Sequence, residues 1–253
     1  MGGNRIEWKI ARFWLRRMVR RTATRVLLNR TLISGDVEHS RWLKSEIADF
    51  VTAVEEDVAA LRPMARLDEL PTFGNRLMVE MTIYTIAAGR ELRRAGVESD
   101  RTLELVSDLG WDIYRRMLGL YSLPFRLLTR DPSRRLRWTV RMLLRFPFNA
   151  PGAPGYEVKT WQEGSDIFTH FTSCPPQTFA RRLAQDTEDD FVLALFRRSW
   201  CTYDWPGADL IAGDGTRGHY HRRHTLSHGD GMCDMCWAGR PNGMDNSQRG
   251  GTT

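Results

Sequence analysis

The segment from residue 146 to residue 155, Phe-Pro-Phe-Asn-Ala-Pro-Gly-Ala-Pro-Gly, constrains the fold more than any other stretch of the chain. Its three prolines and two glycines break both helices and strands. Apolar residues before the segment recur at helical spacing, whereas those after it alternate as they do in strands. The sequence therefore predicts an α+β protein, in which an N-terminal helical layer precedes a smaller C-terminal α/β unit with a short antiparallel sheet.

Residues 39–150 form the predicted helical layer. A helix beginning near residue 39 ends before Pro63, because proline cannot continue a helix. A second helix covers about residues 75–95, and Gly96 follows it at the position that ends many helices. Ser99 and Asp100 then cap a longer helix, and a short arginine-rich helix covers about residues 133–145.

Residues 1–38 form a basic amphipathic segment, predicted to be helical from residue 5 to residue 33 and broken at residues 34–36. One face carries Ile6, Ile10, Phe13 and Trp14 at helical spacing, and arginines cover much of the rest. Our interpretation is that the helix packs on its own domain or on a twin subunit in a homodimer. The alternative is a helix that lies on a membrane surface or binds a partner helix.

The C-terminal part, residues 151–238, is predicted to be the α/β unit. Residues 156–171 read as two strands around a Glu-Gly-Ser turn, and residues 186–200 read as a helix. Pro175 and Pro176 are interpreted as a connection, and residues 219–237 as strands around a glycine-containing loop. The polar, glycine-rich residues 239–253 are expected to be a disordered tail.

The charge and the cysteine content exclude several classes of protein. The net charge of +6 comes almost wholly from arginine, but the arginines are spread along the chain beside acidic residues, so no nucleic-acid partner is expected. No apolar run of about 18 residues predicts a transmembrane helix, and the charged N-terminus does not resemble a signal peptide. Four cysteines are too few for a disulfide framework in 253 residues, which favours a cytoplasmic location.

The stretch from His224 to Trp237 and the earlier segment that starts at Cys201 hold most of the residues that can perform chemistry. Thiolate and imidazole ligands suit zinc or another late transition metal. A metal bound by Cys201, His224 and Cys233 would lower the pKa of a bound water. Asp204 or His228 would orient that water or carry its proton.

A covalent alternative uses the same residues. A thiolate at Cys201 or Cys233, activated by a histidine and assisted by Asp204, could attack an electrophilic carbon. If Cys233 and Cys236 share a strand, their side chains point to opposite faces, so only Cys233 is expected to face the site. Phosphate-binding and serine-hydrolase motifs are absent from the sequence.

Three C-terminal pieces resemble the L-2-amino-thiazoline-4-carboxylic acid hydrolase family: residues 168–174 (Phe-Thr-His-Phe-Thr-Ser-Cys), residues 200–204 (Trp-Cys-Thr-Tyr-Asp) and residues 225–234 (Thr-Leu-Ser-His-Gly-Asp-Gly-Met-Cys-Asp). The helical pieces from residue 73 to residue 106 also look like the middle of that family. The resemblance covers roughly residues 40–237. The C-terminal half is in addition similar to vinyl-reductase-type ligand-binding domains, some of which hold zinc through cysteines.

The resemblance implies a hydrolase that opens a thiazoline ring to a carbamoyl-cysteine. It marks these residues as functional: Cys174, Cys201, Asp204, Gly229, Cys233 and Asp234. The chain departs from the family at residues 235–237, in its many histidines from residue 219 to residue 228, and in its long basic N-terminus.

The sequence therefore predicts a hydrolase that acts on a C–N or C–S bond of a small heterocycle, in which arginines hold a substrate carboxylate and Cys174 lines the pocket. A role in secondary metabolism would fit this chemistry. Two alternatives stay open: a metal-free enzyme with a cysteine nucleophile, and a non-enzymatic ligand-binding module with a structural zinc.

Overall fold

The computed structural model describes residues 3–34 and 37–241. The last twelve residues of the expected tail, residues 242–253, and the expected break at residues 35–36 lie outside the described residues. The architecture is α+β, as predicted, with helices dominating the N-terminal part and a four-stranded antiparallel sheet near the C-terminus. None of the described helices is long and apolar enough to cross a membrane.

The eight α-helices within the described residues are α1 (Gly3–Leu27), α2 (Lys44–Leu61), α3 (Phe73–Arg94), α4 (Ser99–Leu128), α5 (Pro132–Arg145), α6 (Pro175–Thr187), α7 (Asp190–Ser199) and α8 (Asp204–Ala212). The strands are β1 (Thr31–Ser34), β2 (Val37–Arg41), β3 (Glu157–Glu163), β4 (Asp166–Ser173), β5 (Tyr220–His221) and β6 (Cys233–Trp237).

The chain folds as two compact units that are interleaved along the sequence. Unit 1 comprises residues 1–114 and 175–202, and unit 2 comprises residues 115–174 and 203–253. The sequence analysis instead divides the chain linearly at residues 38, 150 and 238. The difference arises because α6 and α7, which follow the first two strands of the sheet, pack against α3 and so belong with the N-terminal helices.

Unit 1 is a helical layer around one apolar core. Its buried side chains come from both parts of the unit, and they include Ile83, Ile86, Leu92, Phe179, Leu183 and Leu195. Helices α3 and α7 approach closely at Gly89, where a Cβ atom would lie 2.4 Å from a methyl carbon of Leu195. A side chain at position 89 would therefore require the Leu195 side chain to move.

The first 41 residues differ from the predicted long helix. Helix α1 ends at Leu27, and Thr31–Ser34 pairs in antiparallel fashion with Val37–Arg41 instead of continuing the helix to residue 33. The buried residues of α1, which include Leu15, Ala23 and Leu27, pack it on unit 1. This agrees with the interpretation that the segment packs on its own domain.

Unit 2 contains the sheet with strand order β3-β4-β6-β5, in which every neighbouring pair is antiparallel. The predicted hairpin at residues 156–171 corresponds to β3 and β4. Helix α5 packs on α8 and β4. The buried Arg135 of α5 donates to the carbonyl oxygens of Ala212 and Gly213 at 2.7 and 3.2 Å, so its positive charge stabilises the C-terminus of α8. These contacts fix the helix that begins at Asp204.

Candidate functional site

The two faces of the sheet in unit 2 differ in character. Successive strand residues point to opposite faces, and directly paired residues share a face. One face, called here the inner face, carries these mostly buried residues: Ile167, Thr169, Phe171, Tyr220, Cys233, Met235 and Trp237. The outer face carries these residues: Phe168, His170, His221, Asp234 and Cys236. The candidate site lies on the inner face.

Three side chains meet beside the inner face. The Tyr220 hydroxyl donates to Oδ2 of Asp204 at 3.2 Å, and Nη1 of Arg222 lies 3.6 Å from the same oxygen. The side chains of Arg222 and Asp204 are 6% and 14% exposed. Arg222 also places its guanidinium carbon 4.9 Å from the ring centre of Trp205. The result is a largely buried carboxylate with one neutral and one cationic partner.

Tyr220 is the neutral member of this group. Burial raises the pKa of Tyr220 well above its ordinary value, and the charge of Asp204 raises it further, while Arg222 lowers it. The phenol therefore stays protonated at neutral pH and acts as a donor. Cys233 lies on the same face of the sheet as Tyr220, so the inner face of unit 2 carries a phenol and a thiol, and the phenol contacts the Asp204 carboxylate.

Cys233 also organises the loop from residue 222 to residue 232. Its Sγ accepts a hydrogen bond from the Leu226 N–H at 3.3 Å, and the Thr225 hydroxyl lies 3.4 Å away. Asp230 accepts from the Thr225 N–H at 2.7 Å. The loop thus wraps around the sulfur, which is at the start of β6 and 7% exposed as a residue.

Asp234 holds the preceding part of the same loop from the outer face. Its Oδ1 accepts from the backbone N–H groups of Arg223 and His224 at 2.9 and 2.6 Å, and its Oδ2 lies 2.8 Å from Nδ1 of His224. Desolvation raises the pKa of Asp234, but the hydrogen bonds from His224 and Arg223 outweigh it and lower the pKa overall. Asp234 therefore positions the loop.

Of the residues predicted to bind zinc, His224 and Cys233 do not converge within unit 2. The His224 ring contacts Asp234, whose side chain projects from the opposite face of β6 to that of Cys233. Cys201 belongs to unit 1, where it packs at the edge of the apolar core. Within residues 3–34 and 37–241, no group of three His, Cys, Asp or Glu side chains is arranged to hold a metal ion. The positions of His224 and Cys233 do not fit a shared zinc ion. The zinc site is not supported by this geometry and stays a prediction from the sequence.

Cys236 lies on the outer face, as expected for a residue three positions from Cys233 on a strand. Burial raises the pKa of the Cys236 thiol to about 12, and the carboxylates of Asp166 and Glu163 contribute to the increase. A thiol with this pKa is almost entirely protonated at neutral pH, so it is a poor nucleophile and a poor metal ligand.

The remaining predicted site residues lie in different surroundings. His228 is exposed on the short 3-10 turn Leu226–His228, and Gly229 follows it with φ of 101°, a conformation that glycine adopts without strain. Cys174 directly follows β4 and is partly buried. Of the predicted catalytic residues, Cys233 lies on the inner face of the sheet in unit 2, and Asp204 contacts Tyr220 of that face.

The sequence analysis missed Tyr220 and Arg222. Both belong to the run His-Tyr-His-Arg-Arg-His at residues 219–224, where the histidines drew attention. Their spacing could have identified them as a pair, because residues two apart in an extended segment point to the same side. Tyr220 and Arg222 both contact Asp204, whereas His221 pairs with Cys236 on the outer face.

His219 is a structural histidine. It is fully buried, and its Nδ1 lies 2.8 Å from the carbonyl oxygen of Ala238, which can only accept, so this nitrogen carries a proton. Its Nε2 lies 2.9 Å from the Thr216 hydroxyl and 3.2 Å from Asp214. These contacts attach the end of β6 to the loop that follows α8.

Comparisons of the whole chain with protein-family models, with curated proteins and with solved structures give no match. The assignment of chemistry to the inner face of unit 2 accordingly rests on the contacts of Asp204, Tyr220, Arg222 and Cys233.

Proposed function

We propose that unit 2 is a hydrolase of small carboxylate-bearing heterocycles of the amino-thiazoline type, and that Cys233 is its nucleophile. The observation that carries the proposal is that Cys233 lies on the same face of the sheet as Tyr220, whose hydroxyl contacts Asp204, which in turn pairs with Arg222. This set contains a nucleophile, a proton carrier and a cationic group, as the opening of an amidine-like ring requires.

Arg222 is the residue assigned to the substrate carboxylate. Its guanidinium carbon lies 4.9 Å from the Trp205 ring centre, and its Nη1 forms an ion pair with Asp204 at 3.6 Å. A planar guanidinium can bind a carboxylate through two parallel hydrogen bonds. Trp205 is 36% exposed, so the stacked pair reaches the surface of unit 2.

The proposed reaction has two steps. In the first, Sγ of Cys233 bonds to the amidine carbon, the ring C–S bond breaks, and the ring sulfur takes the proton that the Cys233 thiol loses. In the second, water attacks the same carbon, Cys233 leaves, and a proton from that water returns to its sulfur. Asp204 carries the protons, and Tyr220 holds the Asp204 carboxylate in place through its hydroxyl. The product is a carbamoyl-cysteine with a free thiol.

The test is the release of that thiol from 2-amino-thiazoline-4-carboxylate, followed with a thiol-reactive dye. We expect wild-type protein to turn the substrate over, and Cys233→Ser and Asp204→Asn each to lower kcat by about 10²–10⁴-fold. Cys236→Ser is the matched control, because it changes the second cysteine of the same strand on the opposite face, and it should retain wild-type turnover. Full turnover by Cys233→Ser, or none by the wild type, would contradict the proposal.

Metal content separates the proposal from the zinc hypothesis drawn from the sequence. Untagged protein should turn the substrate over even where mass spectrometry finds no stoichiometric metal in it. If the wild type holds about one zinc per chain, and Cys233→Ser loses both metal and activity, the cysteine acts as a ligand and the covalent mechanism is wrong.

A further inference from the structure

The solvent-facing side of α1 is divided into an apolar half and a cationic half. Its N-terminal half exposes Ile6, Ile10, Phe13 and Trp14, which are 53–64% accessible to solvent. Its C-terminal half carries an open depression of about 590 Å³, lined by Arg17, Arg20, Arg21, Thr24 and Arg25. With 100° between successive helix residues, both halves lie on one stripe.

This stripe is centred away from the side of α1 that packs on unit 1. The buried residues Leu15, Thr22 and Ala23 lie on the other side of the helix, and Leu27 lies beside the edge of the stripe. The stripe is therefore not part of the core of unit 1, and folding of unit 1 does not explain why two aromatic and two isoleucine side chains are exposed together. Exposed apolar patches of this kind mark interaction surfaces.

The arginines of α1 fall into two groups. Arg12, Arg16 and Arg25 pair with Glu80, Glu55 and Asp112 of unit 1. By contrast, within the described part of the chain no carboxylate lies in salt-bridge range of Arg17, Arg20 or Arg21. Glu7 is the single acidic residue in the sequence of α1. Three guanidinium groups thus face solvent beside an apolar patch.

We infer that this stripe binds the surface of an anionic phospholipid bilayer, with α1 lying flat. A bilayer surface offers hydrocarbon for the isoleucine, phenylalanine and tryptophan side chains, and phosphate groups for the arginines, in one plane. Tryptophan prefers the headgroup level of a bilayer. Since the core-facing side of α1 points away from the stripe, unit 1 can stay folded while the stripe is in contact with lipid.

Two other occupants match the stripe less well. Nucleic acid would satisfy the arginines through its phosphates, but it offers no apolar surface for two neighbouring isoleucines. A second copy of α1 would place arginines against arginines in a parallel pair, and arginines against the apolar half in an antiparallel pair. The combination of charges and apolar groups on one face is complementary to an anionic lipid surface.

The test is flotation of the full chain with vesicles of phosphatidylcholine, with or without 30% phosphatidylglycerol. We expect the protein to float with the anionic vesicles at low salt and to stay behind with the neutral ones. Replacing Arg17, Arg20 and Arg21 by glutamine should weaken the partition coefficient by about 100-fold, because each arginine near such a surface contributes roughly fivefold. Replacing Phe13 and Trp14 by serine should weaken it by at least tenfold.

The matched control replaces the exposed Arg130, Arg141 and Arg145 of unit 2 by glutamine, which removes the same charge and should leave flotation unchanged. Circular dichroism melts should show that all variants fold, because the replaced side chains are exposed. Absence of flotation with anionic vesicles, or equal loss in the control, would overturn the inference. Full vesicle binding by the Phe13 and Trp14 variant would also overturn it, since binding would then be general attraction to polyanions.

Discussion

A largely buried carboxylate has different hydrogen-bond and ion-pair partners in each of the two units. In unit 1, Glu80 is fully buried and accepts three hydrogen bonds from Arg62, the shortest of 2.7 Å, while Arg12 lies 3.3 Å away. In unit 2, Asp204 keeps 14% exposure and has a tyrosine hydroxyl at 3.2 Å and Arg222 at 3.6 Å. The carboxylate assigned to stability is thus bound by two guanidinium groups within the core, whereas the one proposed for catalysis contacts a phenol and a guanidinium at the inner face of the sheet.

The largest effect expected from this comparison is the loss of Glu80. Glu80→Gln should lower the free energy of unfolding by about 3 kcal/mol, because Arg62 and Arg12 lose the anion that compensates their partly buried charges. Urea denaturation measures the change. The control Glu69→Gln removes an exposed pair with Arg66 at 3.7 Å and should cost less than about 0.5 kcal/mol. Equal effects in the two variants would break the comparison.

A smaller effect is expected from Tyr220→Phe, which removes the hydroxyl that donates to Asp204. The free energy of unfolding should fall by about 1 kcal/mol, the usual net value of one hydrogen bond. Because burial raises the pKa of Tyr220 well above its ordinary value, its hydroxyl is protonated at both pH 6 and pH 9. The decrease in the free energy of unfolding should therefore be the same at the two pH values. A loss that disappears at pH 9 would show that the phenol ionises, contrary to the structure.

The smallest effect concerns Asp234, whose pKa is lowered by donors in its own loop. A carboxyl group with a lowered pKa in the folded state stabilises the protein above its ordinary pKa of about 3.9, and this contribution is lost as the pH falls through the folded value. Between pH 6 and pH 2, the stability of Asp234→Asn should therefore decline less steeply than that of the wild type. As a control, the exposed Asp186→Asn should follow the wild-type curve. If the stability of Asp234→Asn declines as steeply as that of the wild type, the prediction is wrong and other carboxylates cause the pH dependence.

Helices with strong periodicity were predictable from the sequence, including α5, which begins at Pro132, whereas α6 and α8 were not predicted. The predictions for residues 75–95 and 133–145 correspond to α3 and α5. Helix α6 begins at Pro175, where two prolines were interpreted as a connection, and α8 contains Pro206 in its first turn. Proline is tolerated there because the first backbone N–H groups of a helix have no partner within it.

The candidate site was predictable only in part. Asp204 and Cys233 stood out because few residue types can carry protons or attack carbon. The placement of Tyr220, the partner of Asp204, on the same face as Cys233 depends on the pairing of β5 with β6, which the sequence pattern does not reveal. Likewise, spacing alone could not reveal that the His224 ring contacts Asp234, because that contact requires the loop to fold back on β6.

The strand order β3-β4-β6-β5 has a consequence for synthesis on the ribosome. Strand β6 lies between β4 and β5, yet it is the last strand to be translated, at residues 233–237. Unit 1 likewise lacks α6 and α7 until residue 199 has been made. At about 5–20 residues per second, the nascent chain spends several seconds after its first helices emerge with both cores incomplete. The two units are thus expected to depend on α6, α7 and β6, and a stop codon before residue 233 should leave a product that chaperones and proteases recognise as unfinished.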